Sequence, residues 1–171
     1  TVFNILGPLT NPAATQHQVI GVANRATAEK VARVLALLGT THAVVVTSDD
    51  GLDELSISSG NSVFDVSVNG HSELNSYHLD VASVGLDTAP IESIRGGTIE
   101  ENAELIRRIL DGERGPARSI TLLNAGAALY AADVAPSIRA GVELAVESID
   151  SGKARERLNA LVELTQQLSE A

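Results

Sequence analysis

Apolar residues recur along this chain with two periods. Between residues 27 and 38, Ala28, Val31, Ala32, Leu35 and Leu38 follow an i, i+3, i+4, i+7 spacing, and Gly39 comes next. That spacing predicts an amphipathic helix with a glycine stop. On either side lie short β-branched runs, HQVIGV at 17–22 and HAVVVTS at 42–48. The second does not alternate, as expected of a strand buried on both faces. Strand, helix and strand in this order predict a βαβ unit with a right-handed crossover.

SVFDVSVNGHSELNSYHL, residues 62–79, changes the period to two. Phe64, Val66 and Val68 alternate with polar residues, and Asn69-Gly70 separates this run from a second one. That combination predicts a β-hairpin. Residues 80–97 read mostly as loop, and TIEE at 98–101 reads as a capping box for a helix over 99–111, stopped by Gly112. Three more helical segments are expected at 116–132, 136–150 and 152–169. At the other end, Gly7-Pro8 and Asn11-Pro12 are turn signals, so residues 1–16 are expected to form a structured loop. The fold class is α/β: a central, mostly parallel sheet with a β-hairpin and flanking helices, in one domain spanning 1–171.

Composition narrows this further. The 171 residues include 44% hydrophobic positions but only four aromatic ones, Phe3, Phe64, Tyr77 and Tyr130. The core must therefore be aliphatic, which suits strands covered by helices. The net charge is −10 with two lysines, Lys30 and Lys153, and scattered arginines. No basic stripe is present for nucleic acid or for an anionic membrane, so neither partner is expected. No apolar stretch reaches the roughly 18–20 residues of a membrane span. The absence of cysteine rules out disulfide and thiolate chemistry and is compatible with a cytoplasmic location. The chain has no Met and opens on Thr1, so TVFNILG reads as the middle of a longer sequence.

DGLDELS, residues 50–56, places Asp50, Asp53 and Glu54 just past the end of the 42–48 strand. Ligands of open α/β sheets bind outside the carboxyl ends of strands, and carboxylate oxygens are the donors Mg²⁺ takes. The stretch reads either as such a cation site or as a polar exit from the strand. In GPLTNPA, Gly7 permits close backbone approach, Pro8 and Pro12 stiffen the segment, and Thr10 and Asn11 could bond a polar substrate; a turn of fixed geometry is the alternative. Arg95-Gly96-Gly97 reads as a lead into the next helix, since no P-loop residues follow it. NAGAALY at 124–130 reads as tight helix packing. His17 and His42 at strand starts, and His71 and His78 in the hairpin, read as capping or surface residues.

Taken together, FNILGPLTNPA (3–13), DGLDELS (50–56), GGTIEENA (96–103), NAGAALY (124–130) and SIDSGKA (148–154) resemble, in order and spacing, the C-terminal half of the anthranilate phosphoribosyltransferase family. The resemblance covers essentially the whole chain. It implies a nucleoside phosphorylase/phosphoribosyltransferase-like C-terminal domain and a reaction between phosphoribosyl pyrophosphate and anthranilate, with Mg²⁺ held by Asp53 and Glu54. It also implies that Pro8 lines the anthranilate channel, within a hinge or substrate loop at 1–16, and that the full-length protein is a homodimer. Asp50 receives no direct role and reads as a turn cap. The family's N-terminal helical domain, its glycine-rich pyrophosphate loop, a Lys-His-Gly-Asn segment and an anthranilate-binding arginine precede these motifs, so this chain is expected to be inactive alone. Two alternatives are a nucleic-acid-binding relative, disfavoured by the acidity, and a pyrimidine nucleoside phosphorylase-like enzyme, disfavoured by the pairing of GPLTNP with DGLDE.

Overall fold

The computed structural model describes residues 2–68 and 72–169. Four strands, β1 (His17–Gly21), β2 (His42–Ser48), β3 (Asn61–Val68) and β4 (Ser72–Leu79), form one sheet in that spatial order. Six α-helices accompany it among the described residues: α1 (Val2–Leu9), α2 (Arg25–Leu38), α3 (Ile99–Leu110), α4 (Pro116–Ala131), α5 (Ile138–Asp150) and α6 (Lys153–Ser169).

β1 and β2 are parallel, with His17 opposite His42 and Gly21 opposite Val46, and α2 makes the crossover between them. β3 returns antiparallel along β2, and β4 is antiparallel to β3. The α/β class therefore holds, while the sheet is mixed rather than mostly parallel. The chain turns back after β2 through the helix-free segment 49–60, and a return without a crossover helix gives an antiparallel neighbour. The hairpin forms as its alternation requires, with Val63 opposite Tyr77; the Asn69-Gly70 turn lies outside the described residues.

All seven residues of β2 are buried. Val44 and Val46 face one core, shared with Leu55, Ile57 and the apolar faces of α3, α4 and α5. Ala43 and Val45 face the other, with Phe64, Val66 and α2 residues Ala28, Val31, Ala32 and Leu35. This two-sided burial explains the unbroken apolar run. α4 and α5 meet at glycine: a Cβ on Gly141 would lie 2.2 Å from the Gly126 carbonyl oxygen. NAGAALY therefore does mark close helix packing.

The helix ends match their sequence signals. Asn24 caps α2 by accepting from the Thr27 amide at 2.9 Å, and Gly39 ends it at φ +76°. Thr98 and Glu101 form the reciprocal capping box on α3. Gly97 and Thr98 amides bond Asn102 and Glu101 side chains of that helix at 2.8 and 2.7 Å, so the Gly96-Gly97 segment does lead into α3.

The N-terminal segment departs from expectation. Residues Val2–Leu9 form a helix, not a loop, with Pro8 in its last turn. A proline there forfeits a single helical N–H and does not break the turns before it. The helix stops directly afterwards, where Thr10 bonds the Leu6 carbonyl through its amide at 3.0 Å and its hydroxyl at 2.9 Å. Asn11-Pro12 then makes the expected turn, in which the Asn11 side chain accepts from the Ala13 amide at 3.0 Å.

Candidate metal and substrate site

The segment from 49 to 60 leaves the carboxyl end of β2 and returns as β3. Its base is closed by the Asp49 amide donating to the Gly60 carbonyl at 2.9 Å. Inside it, Asp50 is saturated. One of its carboxylate oxygens accepts from the Ser48 hydroxyl at 2.5 Å and the Leu52 amide at 3.2 Å. The other accepts from the Ser56 hydroxyl at 2.6 Å and from Ser58. Burial pushes this carboxyl up, but the hydroxyl and amide donors together outweigh it and hold it well below the usual carboxylate range. Asp50 bridging to the amide two residues on is an Asx turn, and Gly51 supplies the left-handed step at φ +84°.

Two asparagines clamp the chain beyond. Asn124 of α4 accepts from the Leu55 amide at 3.0 Å and donates to the Leu55 carbonyl at 2.9 Å. Buried Asn61 does the same for Ser56, at 2.7 and 2.9 Å. On the near side, the Asp53 carbonyl rests on the backbone of Gly21, at the end of β1. A Cβ on Gly21 would lie 1.6 Å from that oxygen, so no other residue fits there with this loop in place. The backbone of residues 53–56 is thus fixed from β1, α4 and β3 at once.

Asp53 and Glu54 stand on this fixed backbone, and both are exposed. Neither carboxylate has a hydrogen bond or ion pair among the described residues. That is the opposite of Asp50, three positions away. Two unpartnered carboxylates on a rigid backbone fit Mg²⁺, which commonly takes one or two protein carboxylates and leaves the remaining positions to water and phosphate. Among the described residues no third histidine or acid joins them at metal spacing.

Pro8 is half-buried at the end of α1, and neighbouring Leu9 packs against the core on the α2 side. It is therefore held by a different part of the scaffold from the acidic pair. Sequence reasoning missed Gly21, Asn61 and Asn124. Asn124 lies 69 positions from its partner, so only the fold reveals the link.

His17 and His78 are exposed, as expected of surface residues, whereas His42 departs from expectation. His42 is buried at the opposite end of the sheet, with Nδ1 2.6 Å from Asp133 Oδ1 and Nε2 3.2 Å from Asp65 Oδ1. Its ring packs edge-on against Tyr130, whose hydroxyl donates to the other Asp65 oxygen. Burial, and next Asp65, push both tyrosines up, Tyr77 to about 12. His17 Nδ1 lies 2.8 Å from the Ala131 carbonyl. His78 packs against Gly60, and His71 lies outside the described residues.

A mixed sheet between helical layers, with an acidic loop at the carboxyl ends of its strands, is an α/β transferase domain: the chain belongs to the glycosyl transferase family, matching the sequence profile of its a/b domain over residues 1–155. Its relatives are anthranilate phosphoribosyltransferases. It is 52% identical to that of Thermomicrobium roseum over 171 residues, 100% of this chain and 49% of that protein. It is 53% identical to that of Chloroflexus aggregans over 163 residues, 95% and 47% of the two. The solved anthranilate phosphoribosyltransferase of Thermus thermophilus matches with a TM-score of 0.84 at 42% identity, over 95% of this chain and 47% of that one. That of Saccharomyces cerevisiae in complex with PRPP and Mg matches with a TM-score of 0.81 at 26% identity, over 93% and 45%. The chain spans about half the length of the curated relatives it matches. No helix among the described residues is long and apolar enough to cross a membrane.

Proposed function

We propose that this chain is the metal-holding half of an anthranilate phosphoribosyltransferase. The reaction moves 5-phosphoribose from phosphoribosyl pyrophosphate to the amine of anthranilate, releasing pyrophosphate and giving phosphoribosylanthranilate for tryptophan biosynthesis. The observation that carries the reading is the contrast within one loop: Asp50 is saturated, while Asp53 and Glu54 are exposed on a clamped backbone, with no partner among the described residues.

The chemistry needs such a pair. Breaking the bond between C1 and the pyrophosphate oxygen leaves positive charge on the sugar and negative charge on the leaving group. When bound, Mg²⁺ neutralises the charge growing on the pyrophosphate. Asp53 and Glu54 act as its holders, not as bases. Anthranilate's amine already carries a nucleophilic lone pair, so positioning contributes more than proton removal. Pro8, in the GPLTNP segment, lines the acceptor side. The complete enzyme is a cytoplasmic homodimer whose other half supplies the rest of the pyrophosphate site.

The test joins this chain to the missing half of its Thermomicrobium roseum relative. The joined protein should form phosphoribosylanthranilate, detectable by loss of anthranilate fluorescence, and the 171-residue chain alone should not. A folded joined protein without activity, or turnover by the chain alone, would overturn this assignment.

A further inference from the structure

His42 poses a hydrogen-bonding problem. Both of its ring nitrogens face carboxylate oxygens, at 2.6 Å on the Asp133 side and 3.2 Å on the Asp65 side. A neutral imidazole has one N–H and one lone pair. Asp65 cannot resolve the conflict as a donor on both sides, because its second oxygen accepts the Tyr130 hydroxyl. The positive charge that this geometry calls for at one His42 nitrogen is supplied either by a second ring proton, which makes both nitrogens donors, or by a metal ion that displaces that proton and parts His42 from Asp133. The buried side fixes which nitrogen this is. Nε2–H donating to a buried carboxylate is the arrangement that orients metal-ligating imidazoles, and it turns Nδ1 toward Asp133.

His17 repeats the pattern beside it. A carbonyl can only accept, so its 2.8 Å contact with Ala131 assigns the proton to Nδ1, the nitrogen that also lies 3.7 Å from Asp133 Oδ2, and leaves the Nε2 lone pair to be brought in by a turn of the ring. One ligand atom each from His17, His42 and Asp133 lie within 4.8 Å of one another. Metal–ligand bonds of about 2.0–2.1 Å place tetrahedral ligands roughly 3.3 Å apart, within side-chain reach of this arrangement. The side chain of His42 is 6% exposed, whereas those of His17 and Asp133 are 38% and 59% exposed, giving one anchored ligand and two at a rim. Asp133 sits in the left-handed region, at φ +57°, directly after α4. His42 and Asp133 also line a cavity of about 470 Å³, together with Thr41, Ser67 and Tyr130, which leaves room for a water ligand.

We propose that His17, His42 and Asp133 bind a transition-metal dication of the Zn²⁺ class, at the end of the sheet opposite the acidic loop. Two imidazole nitrogens and one carboxylate suit Zn²⁺ with an open fourth position, whereas Mg²⁺ favours all-oxygen surroundings such as the acidic loop. The two sites are chemically distinct and separated by the length of β2.

The test titrates Zn²⁺ calorimetrically into the chain carrying Asp53→Ala and Glu54→Ala, which removes the exposed acids of the other site. Co²⁺ is then used in its place and its visible spectrum read. The expected result is one equivalent of Zn²⁺ and an intense four-coordinate Co²⁺ spectrum. Asp133→Asn and His17→Gln should each weaken binding at least about tenfold. Asn tolerates the left-handed backbone at 133, and circular dichroism checks both folds. The Co²⁺ spectrum of the chain with its histidines and Asp133 intact decides the matter even if a variant fails to fold. No saturable binding, unchanged affinity in folded variants, or a weak six-coordinate Co²⁺ spectrum would overturn the proposal.

Discussion

The two ends of strand β2 hold carboxylates in opposite ways. At its amino end, buried Asp65 faces the ring of His42 with one oxygen and takes the Tyr130 hydroxyl with the other. At its carboxyl end, the fixed group is the backbone, and the Asp53 and Glu54 side chains have no partner among the described residues. The first arrangement ties its charges into the fold, whereas the second holds them in place for something else. The difference shows that a candidate site is recognised less by its acids than by where their hydrogen-bonding capacity goes. Asp50 makes the same point inside one loop, since its saturation separates it from Asp53 and Glu54.

That comparison can be broken by substitution, with effects that fall in order. Asp65→Ala should be the most damaging, because it strips a buried partner from His42 and from Tyr130 at about 1–3 kcal/mol for each group left unsatisfied and opens a cavity between them. Chemical denaturation should show this as a lowered midpoint with an unchanged slope. Asn61→Ala comes next. It leaves both backbone groups of buried Ser56 without their partners, at a cost of about 1–3 kcal/mol for each group that stays unsatisfied. Asn124→Ala should lie at the lower end of that range, since Leu55 is clamped at a half-buried side chain, and it should also loosen the acidic loop. Asp53→Ala and Glu54→Ala should change stability by no more than about 0.5 kcal/mol, because exposed groups without partners contribute little. A large loss of stability in either would show that these acids are structural and would erase the contrast.

Groups held in these two ways should also part under pH, more weakly. A depressed carboxyl such as Asp50 contributes stability that is full above the ordinary carboxylate value of about 3.9 and is lost as pH falls below it. Tyr77, pushed up from the ordinary phenol value of about 10 to about 12, behaves in the reverse sense. Its contribution is full below pH 10 and fades as pH rises between about 10 and 12. Tyrosinate absorbance during alkaline titration should therefore stay low at pH 10 and rise only toward pH 12 or with unfolding. Ionisation near pH 10 in the folded chain would contradict the buried environment assigned to it.

Much of this was legible in the sequence, wherever the governing interactions are local. The α2 and α3 ends follow from Gly39 and from the Thr98–Glu101 box, and the hairpin from its alternation. The strand order placed DGLDE just past a strand's carboxyl end, and the position of the loop bears this out. What failed was nonlocal or competing. The βαβ unit suggested a parallel sheet, yet the return through residues 49–60 reversed the strand that follows and made the rest of the sheet antiparallel. Gly7-Pro8 read as a turn, whereas the turns before Pro8 need nothing from its missing N–H. His42 read as a strand-end residue because Asp133, its partner, lies 91 positions away. Gly21 carried no visible signal, since its need arises from a carbonyl delivered by another loop.

The most direct test of the central claim is a Mg²⁺ titration of transferase rate in this chain joined to the other half of its Thermomicrobium roseum relative, with and without Asp53→Ala and Glu54→Ala. Outer-shell changes at metal sites alone cost about 10–100-fold. Loss of a holder should therefore raise the Mg²⁺ concentration for half-maximal rate at least about tenfold, with much of the rate recovered at high Mg²⁺. An identical Mg²⁺ dependence in all three proteins would contradict the account.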